Sequence, residues 1–468
     1  MANKGAVTES VFPLPDGEGR ILDVTSYILL WLATAVFLGY FFVGASLVPP
    51  IGTLNLFQAI LVIVIAKIIV MAFFALNGVP GWKYGIPMVV QMRASFGTRG
   101  QAIPSLIRAV PALFWFGVQT WVGAQALNGI SKELFGFDNT FVWFVVFQLV
   151  QTWIASRGFS SIKWFDVAGS IFIAVCMVYI MYRLISNYGA EMSKIMDAPG
   201  TYGWAFWGGV TTMLGIYSTL MLNVSDLVRY MPRKGVSKTR YTLAQLLGIL
   251  PGALFMCMIG IISVSTTGQY DPIAIFVKEI PSLGLMVVMM LFIAAAQFTT
   301  NLVGNVVPPT MVLCDLFKVK WRTGAWITGI LGLFTFPWLL LTANAFNLFV
   351  QIYSAFLGPI LGVMLADFFL LRSQKYHLAE LYNPRGFYSY CKGFNPAAFI
   401  AIIAGAVIAT IKVEISWFLG LIPSAILYVI LMKAWIVKKY PQSIPAEDQP
   451  EQEIIKAVQS VQASVPSP

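Results

Sequence analysis

Apolar residues run along this chain in blocks of about twenty, separated by short stretches rich in glycine, proline and charge. A helix rising about 1.5 Å per residue needs about twenty such residues to cross a bilayer. The pattern predicts twelve spans, at 25–48, 53–77, 103–130, 139–156, 162–186, 204–228, 241–267, 283–309, 322–342, 346–371, 395–412 and 415–436. The expected fold class is an all-α polytopic membrane protein. Gly39 in span one and Gly208, Gly209 and Gly215 in span six lie at matching depth. Two readings stay open: first helices of a five-plus-five inverted repeat, broken at the midplane so that carbonyls and amides are exposed, or close packing through small residues. The expected divisions are a cytoplasmic segment 1–24, a first repeat 25–186, a second repeat 204–371, two additional helices 395–436, and a Ser/Gln-rich disordered tail 440–468.

Polar residues inside apolar blocks mark the places where chemistry is expected, because a polar group at bilayer depth is costly unless it is partnered or lines a site. The densest set lies in span eight. Leu291 to Pro309 carries Gln297, Thr299, Thr300, Asn301 and Asn305 without one ionised side chain. At about 100° per residue, Gln297, Asn301 and Asn305 share a stripe, and Thr300 lies about 140° round from Asn305. One reading is hydrogen bonding between neighbouring helices. The other gives the amide face to a polar substrate and the hydroxyl face to a cation.

Span three offers a second candidate. Trp115 and Gln119 are four residues apart and so share a helix face. An indole beside an amide gives a planar heterocycle a stacking surface and a donor-acceptor pair, although tryptophan also marks bilayer interfaces. Tyr217 follows Gly215 at similar depth. Lys67 lies about nine residues from the inner end of span two, about 13 Å along the helix, beyond full reach by snorkelling. The open readings for it are an ion pair with Asp226, Asp367 or helix-terminal carbonyls, a coupling role, or a misplaced span. Asp226 and Asp367 themselves read as interfacial charges near Arg229 and Arg372, which leaves no carboxylate at the Trp115, Gln119 and Asn305 level to carry a proton.

Composition agrees with the pattern: 468 residues, 58% hydrophobic and 11% charged, are too apolar for a soluble globular chain. The net charge of +10 would suggest nucleic acid in a soluble protein. Its distribution gives another reason for it. Alternate loops carry seventeen lysines and arginines on one side and five on the other, which puts both termini in the cytoplasm by the positive-inside rule. The first twenty residues lack a cleavable leader's basic and apolar regions. The four cysteines and His377 have no metal, disulfide or nucleophile spacing. Without paired carboxylates or an activated nucleophile in the spans, an enzyme is not expected. No cofactor and no nucleic-acid partner are expected either. A transporter remains, or a passive facilitator whose polar stripe lines a pore.

Several blocks carry a resemblance: Asn77 to Trp121, NVSDLVRY at Asn223 to Tyr230, TTNLVGNVVPP at Thr299 to Pro309, and LGPILGVMLADFFLLR at Leu357 to Arg372. Over roughly residues 20–435 the chain resembles the nucleobase-cation-symport-1 family, nearest its hydantoin and allantoin members. The resemblance implies a LeuT-type fold with two extra helices, in a monomer of the inner membrane that imports hydantoin, allantoin, uracil or a related ring with sodium or protons. It implies ring stacking on Trp115, hydrogen bonds from Gln119 and Asn305, and a second stacking ring at Tyr217. Hydantoin transporters have tryptophan at that last position, with a glycine where Ile216 stands. It also implies a sodium site of main-chain carbonyls at Ala33, Val36 and Ala296 with the hydroxyls of Thr299 and Thr300, and an apolar Phe37 in place of a glutamine.

Overall fold

The computed structural model describes residues 11–17, 19–268, 282–340, 343–412, 415–445, 452–455 and 457. Among them there is no strand, only an isolated bridge between Cys391 and Phe394. Among the described residues, eight helices are long and apolar enough to cross a membrane, and a bent pair, α1 (Val24–Ala35) with α2 (Leu38–Leu47), makes a ninth candidate. Two shorter apolar helices, α6 (Thr140–Ser156) and α17 (Pro396–Ala409), coincide with expected spans four and eleven. Expected span nine is divided into α13 (Trp321–Leu333) and α14 (Pro337–Leu340).

Several helices outrun their apolar blocks. Span two becomes α3 (Leu56–Tyr84), which starts at a capping box between Asn55 and Gln58 and ends at Gly85, whose φ of 70° stops a right-handed helix without strain. It is followed by α4 (Met88–Phe96) and by α5 (Ala102–Phe135), which carries Trp115 and Gln119. Next come α7 (Phe159–Asp197), α8 (Trp204–Asn223), the short α9 (Ser225–Val228) and α10 (Lys238–Thr267). The polar stretch of span eight is α11 (Leu283–Asn301), a π-helical turn at Leu302–Val306, and α12 (Val307–Phe317). After these, α15 (Ala343–Leu365) runs into a second π turn at Ala366–Leu371, then α16 (Leu378–Tyr382), and α18 (Ser416–Leu431) follows α17.

The glycine expectation is only partly met. Span one is broken, with a bend of 60°, but the non-helical residues are Val36 and Phe37 rather than Gly39. Span six runs unbroken through Gly208, Gly209 and Gly215. A β-carbon on Gly215 would come within 3.1 Å of Ser354 Oγ, and one on Gly209 within 2.7 Å of Leu47 Cδ2, so these glycines serve close helix packing.

Charges at the ends of the bundle are paired. Asp367 and Arg372 form a fully buried ion pair at 2.7 Å. Tyr428 donates to the same carboxylate, and Arg372 also reaches the carbonyls of Ala94 and Ser443. Of the segment expected to be a disordered tail, residues 440–445, 452–455 and 457 are described, and Glu453 accepts the Leu378 N–H at 2.8 Å. The rest of that segment, and residues 1–10 and 18 of the expected N-terminal segment, lie outside the described residues.

Candidate substrate and ion site

The break in span one, the π turn in span eight and the middle of α5 and α8 enclose a buried cavity of about 30 Å³, room for one or two waters. Thr34 and Phe37 border it from the α1/α2 break, Trp115 and Gln119 from α5, Ile216 and Tyr217 from α8, and Thr300 and Asn305 from span eight. Trp115, Gln119, Tyr217 and Asn305, and Ile216 beside them, therefore meet in one place.

The π turn explains how. On an uninterrupted α-helix Thr300 and Asn305 would face directions about 140° apart. The wider turn at Leu302–Val306 inserts a residue, as π turns at functional sites do, and both residues border the same cavity.

The polar atoms divide between structure and site. Asn301 donates to the Phe116 carbonyl at 3.2 Å and to Thr120 Oγ1 at 3.3 Å, tying α11 to α5. Asn305 donates to Asn301 Oδ1 at 2.8 Å. Helix bridging thus accounts for Asn301, while Asn305 is oriented by it toward the cavity. Gln297, the third residue of that stripe, is buried but does not border the cavity. Gln119 is 3% exposed, and its Oε1 has no hydrogen-bond partner among the described residues. A buried acceptor left open costs about 1–3 kcal/mol, so this oxygen is poised for a donor from a ligand.

The aromatic residues are closely packed. The Phe37 ring stands edge-on to Trp115 at 5.0 Å between centroids, and Tyr217 stacks on Tyr40 at 5.6 Å and Phe74 at 5.9 Å. Tyr217 Oη lies 3.4 Å from the Thr34 carbonyl, which links α8 to the helix break. Phe37 occupies space that a ring stacked on Trp115 would need.

Beside the cavity, oxygens from α1 and α11 converge. Thr300 Oγ1 is 2.9 Å from the Ala33 carbonyl and 2.8 Å from the Ala296 carbonyl, and Thr299 Oγ1 is 3.2 Å from the latter. Val36 is buried at the non-helical step itself. Neutral oxygens on a broken helix and its neighbour are the donor set that suits a hard cation such as sodium.

Lys67 does not find the partners expected of it. Met88 N–H occupies Asp226, at 2.7 Å, and Arg372 holds Asp367. Lys67, 1% exposed, donates to Tyr40 Oη and sits 4.0 Å and 4.3 Å from the centroids of Tyr40 and Tyr217, with no ion pair among the described residues. Its charge is met by a hydroxyl and two π faces. The two carboxylates are also deeper than expected, for both are fully buried.

A family model for permeases for cytosine/purines, uracil, thiamine and allantoin matches residues 13–437. The chain belongs to this family. A hydantoin permease of Microbacterium maritypicum is 28% identical to the permease over 447 residues, covering 92% of this chain and 90% of the relative. An allantoin permease of Bacillus subtilis is 30% identical over 418 residues, covering 81% and 84%. The fold matches a nucleobase-cation-symport-1 transporter in a closed conformation with bromovinylhydantoin bound, at a TM-score of 0.86 and 26% identity over 95% of this chain and 99% of that one. The architecture is LeuT-type, and the permease is a multi-pass membrane transporter whose relatives are transporters rather than enzymes.

Sequence reasoning misses one residue of the permease's inner wall, Arg108. Fully buried on α5, it donates to the carbonyls of Thr219 at 2.6 Å and Gly304 at 3.3 Å and to Asn223 Oδ1 at 2.6 Å. Thr219 and Gly304 both border the cavity, so Arg108 braces α5, α8 and the π turn beneath it. A signal was present: Arg108 is the single charged residue between Arg99 and Lys132.

Proposed function

We propose that the permease imports a small, flat, uncharged heterocycle, of the class that includes hydantoin, allantoin and uracil, together with sodium by alternating access. The observation that carries this reading is the open Gln119 Oε1 beside Trp115, Tyr217 and Asn305 in a buried cavity without an ionised wall residue. The ring stacks on Trp115 and against Tyr217 once Phe37 swings aside, gives an N–H to Gln119, and is held by Asn305. Sodium sits among the Ala33 and Ala296 carbonyls and the Thr299 and Thr300 hydroxyl oxygens, the hydroxyls keeping their protons and turning them away from the ion, with Val36 supplying a further carbonyl at the break. Because ion and ring then pack against the same broken helix, each favours the closed arrangement that the other needs. The positive-inside charge pattern supports both termini in the cytoplasm of a cell that carries the permease in its inner membrane.

Reconstituted permease should accumulate labelled heterocycle above the outside concentration when sodium is higher outside. Equilibration without accumulation would make it a facilitator. Accumulation that follows a proton gradient and ignores sodium would remove the ion assignment.

A further inference from the structure

Asp166 lies seven residues into α7, about 10 Å along the helix, and is fully buried. Neither carboxylate oxygen has a hydrogen-bond partner among the described residues. Its neighbours on the next turn show where it points. A β-carbon on Gly169 would lie 2.6 Å from Thr299 Cγ2 on α11, and Ser170 Oγ lies 2.7 Å from the Leu29 carbonyl on α1. On a helix the direction of residue 166 falls between those of 169 and 170. Asp166 therefore faces the α1/α11 seam, the same seam that Thr300 closes through the Ala33 and Ala296 carbonyls. Gly169 lies level with Thr299, and Ser170 with Leu29, one turn before Ala33; Asp166 is one turn further toward the cytoplasm, so its carboxylate sits one to two turns, roughly 5–10 Å, nearer the cytoplasm than the ion oxygens.

No fixed cation neutralises it among the described residues. Lys163, on the preceding turn of α7, gives its ammonium to the Ile21 carbonyl at 2.6 Å. Residues 283–306 of α11 and its π turn, and all of α6, carry no ionisable side chain. On α1 the sole titratable side chain is Tyr27, which accepts from Gln245 of α10, and Asp23 caps the helix through Ser26. Beyond Gln245, α10 contributes Tyr241 and Cys257 in its interior and Lys238 and Arg240 at its start. A carboxylate taken from water without a partner is too costly to persist as an anion.

We propose that Asp166 is a second station for the coupling cation: it receives the sodium ion as this leaves the site between α1 and α11 for the cytoplasm or, where the coupling ion is a proton, carries that proton itself. This rests on the transport reading above, but not on sodium being the ion. Protonated while empty, the carboxylate ionises as a cation arrives, so a sodium ion released from neutral oxygens meets an anionic ligand before reaching water. A route inward opens where α1 parts from α7, the contact that the Ser170 to Leu29 bond now holds.

The test uses full-length permease in proteoliposomes, with Asp166→Asn, which keeps shape and removes charge, and Asp166→Glu, which restores charge. Asp166→Asn should bind heterocycle within about twofold of wild type and keep counterflow exchange, whereas uptake driven by an ion gradient falls about tenfold or more, the loss of one charge-cation contact. Asp166→Glu should recover most of that uptake. A purely structural carboxyl would not separate exchange from net uptake. The proposal is overturned if Asp166→Asn takes up substrate at the wild-type rate under both sodium and proton gradients, or if binding and exchange fall together with net uptake. Should wild-type uptake follow protons alone, and Asp166→Asn abolish that dependence, the sodium assignment fails while the second station stands.

Discussion

Replacing Gln119 with leucine separates the cost of an open polar atom from its use. Gln119 is 3% exposed, its Oε1 has no partner among the described residues, and Trp115, Ile216 and Asn305 surround the same small cavity. Leucine has nearly the same volume and no acceptor. Removing a buried unsatisfied oxygen recovers part of its desolvation cost, about 1–3 kcal/mol, so the ligand-free variant should melt at the wild-type temperature or above it. In the complex the same substitution strands the ring's N–H, and affinity should fall by about 1–3 kcal/mol, roughly 5- to 150-fold. The two effects have opposite signs, which a general weakening of the fold cannot imitate. Thermal unfolding in detergent, with and without a titration of hydantoin, allantoin or uracil, reads both quantities from one preparation. Unchanged affinity for every ring that binds the wild type would refute the placement of Gln119, and a parallel fall in affinity and ligand-free melting temperature would show that its role is structural.

Other substitutions divide along the same lines. Thr300→Val removes the hydroxyl shared by the Ala33 and Ala296 carbonyls; substrate affinity measured in sodium and in choline should become equal, while stability without sodium drops by only about 1 kcal/mol. Asn301→Ala cuts the tie from α11 to Phe116 and Thr120, so it should lower the melting temperature without altering the rank order of ring affinities in a competition assay. Phe37→Ala opens the space beside Trp115, and competition with ring-substituted analogues should show larger rings gaining relative to small ones. Asp367→Asn leaves Arg372 buried without its counter-charge and should cost about 3–5 kcal/mol, read as loss of folded protein on size-exclusion chromatography with no specific effect on ring preference.

Much of the architecture was legible because the bilayer imposes helices of a set length, so apolar blocks of about twenty residues translate directly into spans. Trp115 and Gln119 were legible for a similar reason, since a four-residue spacing fixes a shared face on any helix. The break in span one was misplaced because glycine is only one way to leave a helix. Val36 and Phe37 do so with φ and ψ of −80° and 76°, and −126° and 131°, values open to any residue. The meeting of Thr300 with Asn305 was hidden because angular projection assumes an unbroken α-helix, and the π turn between them leaves no compositional mark. Lys67 misled because an intramembrane cation is expected to seek a carboxylate, whereas here tyrosines from α2 and α8 surround it. Asp166 escaped notice for the opposite reason: it falls four residues inside an expected span, where a carboxylate reads as interfacial, and only packing reveals that nothing answers it.

The most direct test of joint ring and cation binding is their reciprocity. The dissociation constant of a bound heterocycle should be measured with and without sodium, and that of sodium with and without the heterocycle, by calorimetry on one preparation. Coupling through the α1/α2 break requires both constants to fall by the same factor. Ring affinity that is identical in sodium and choline would contradict it.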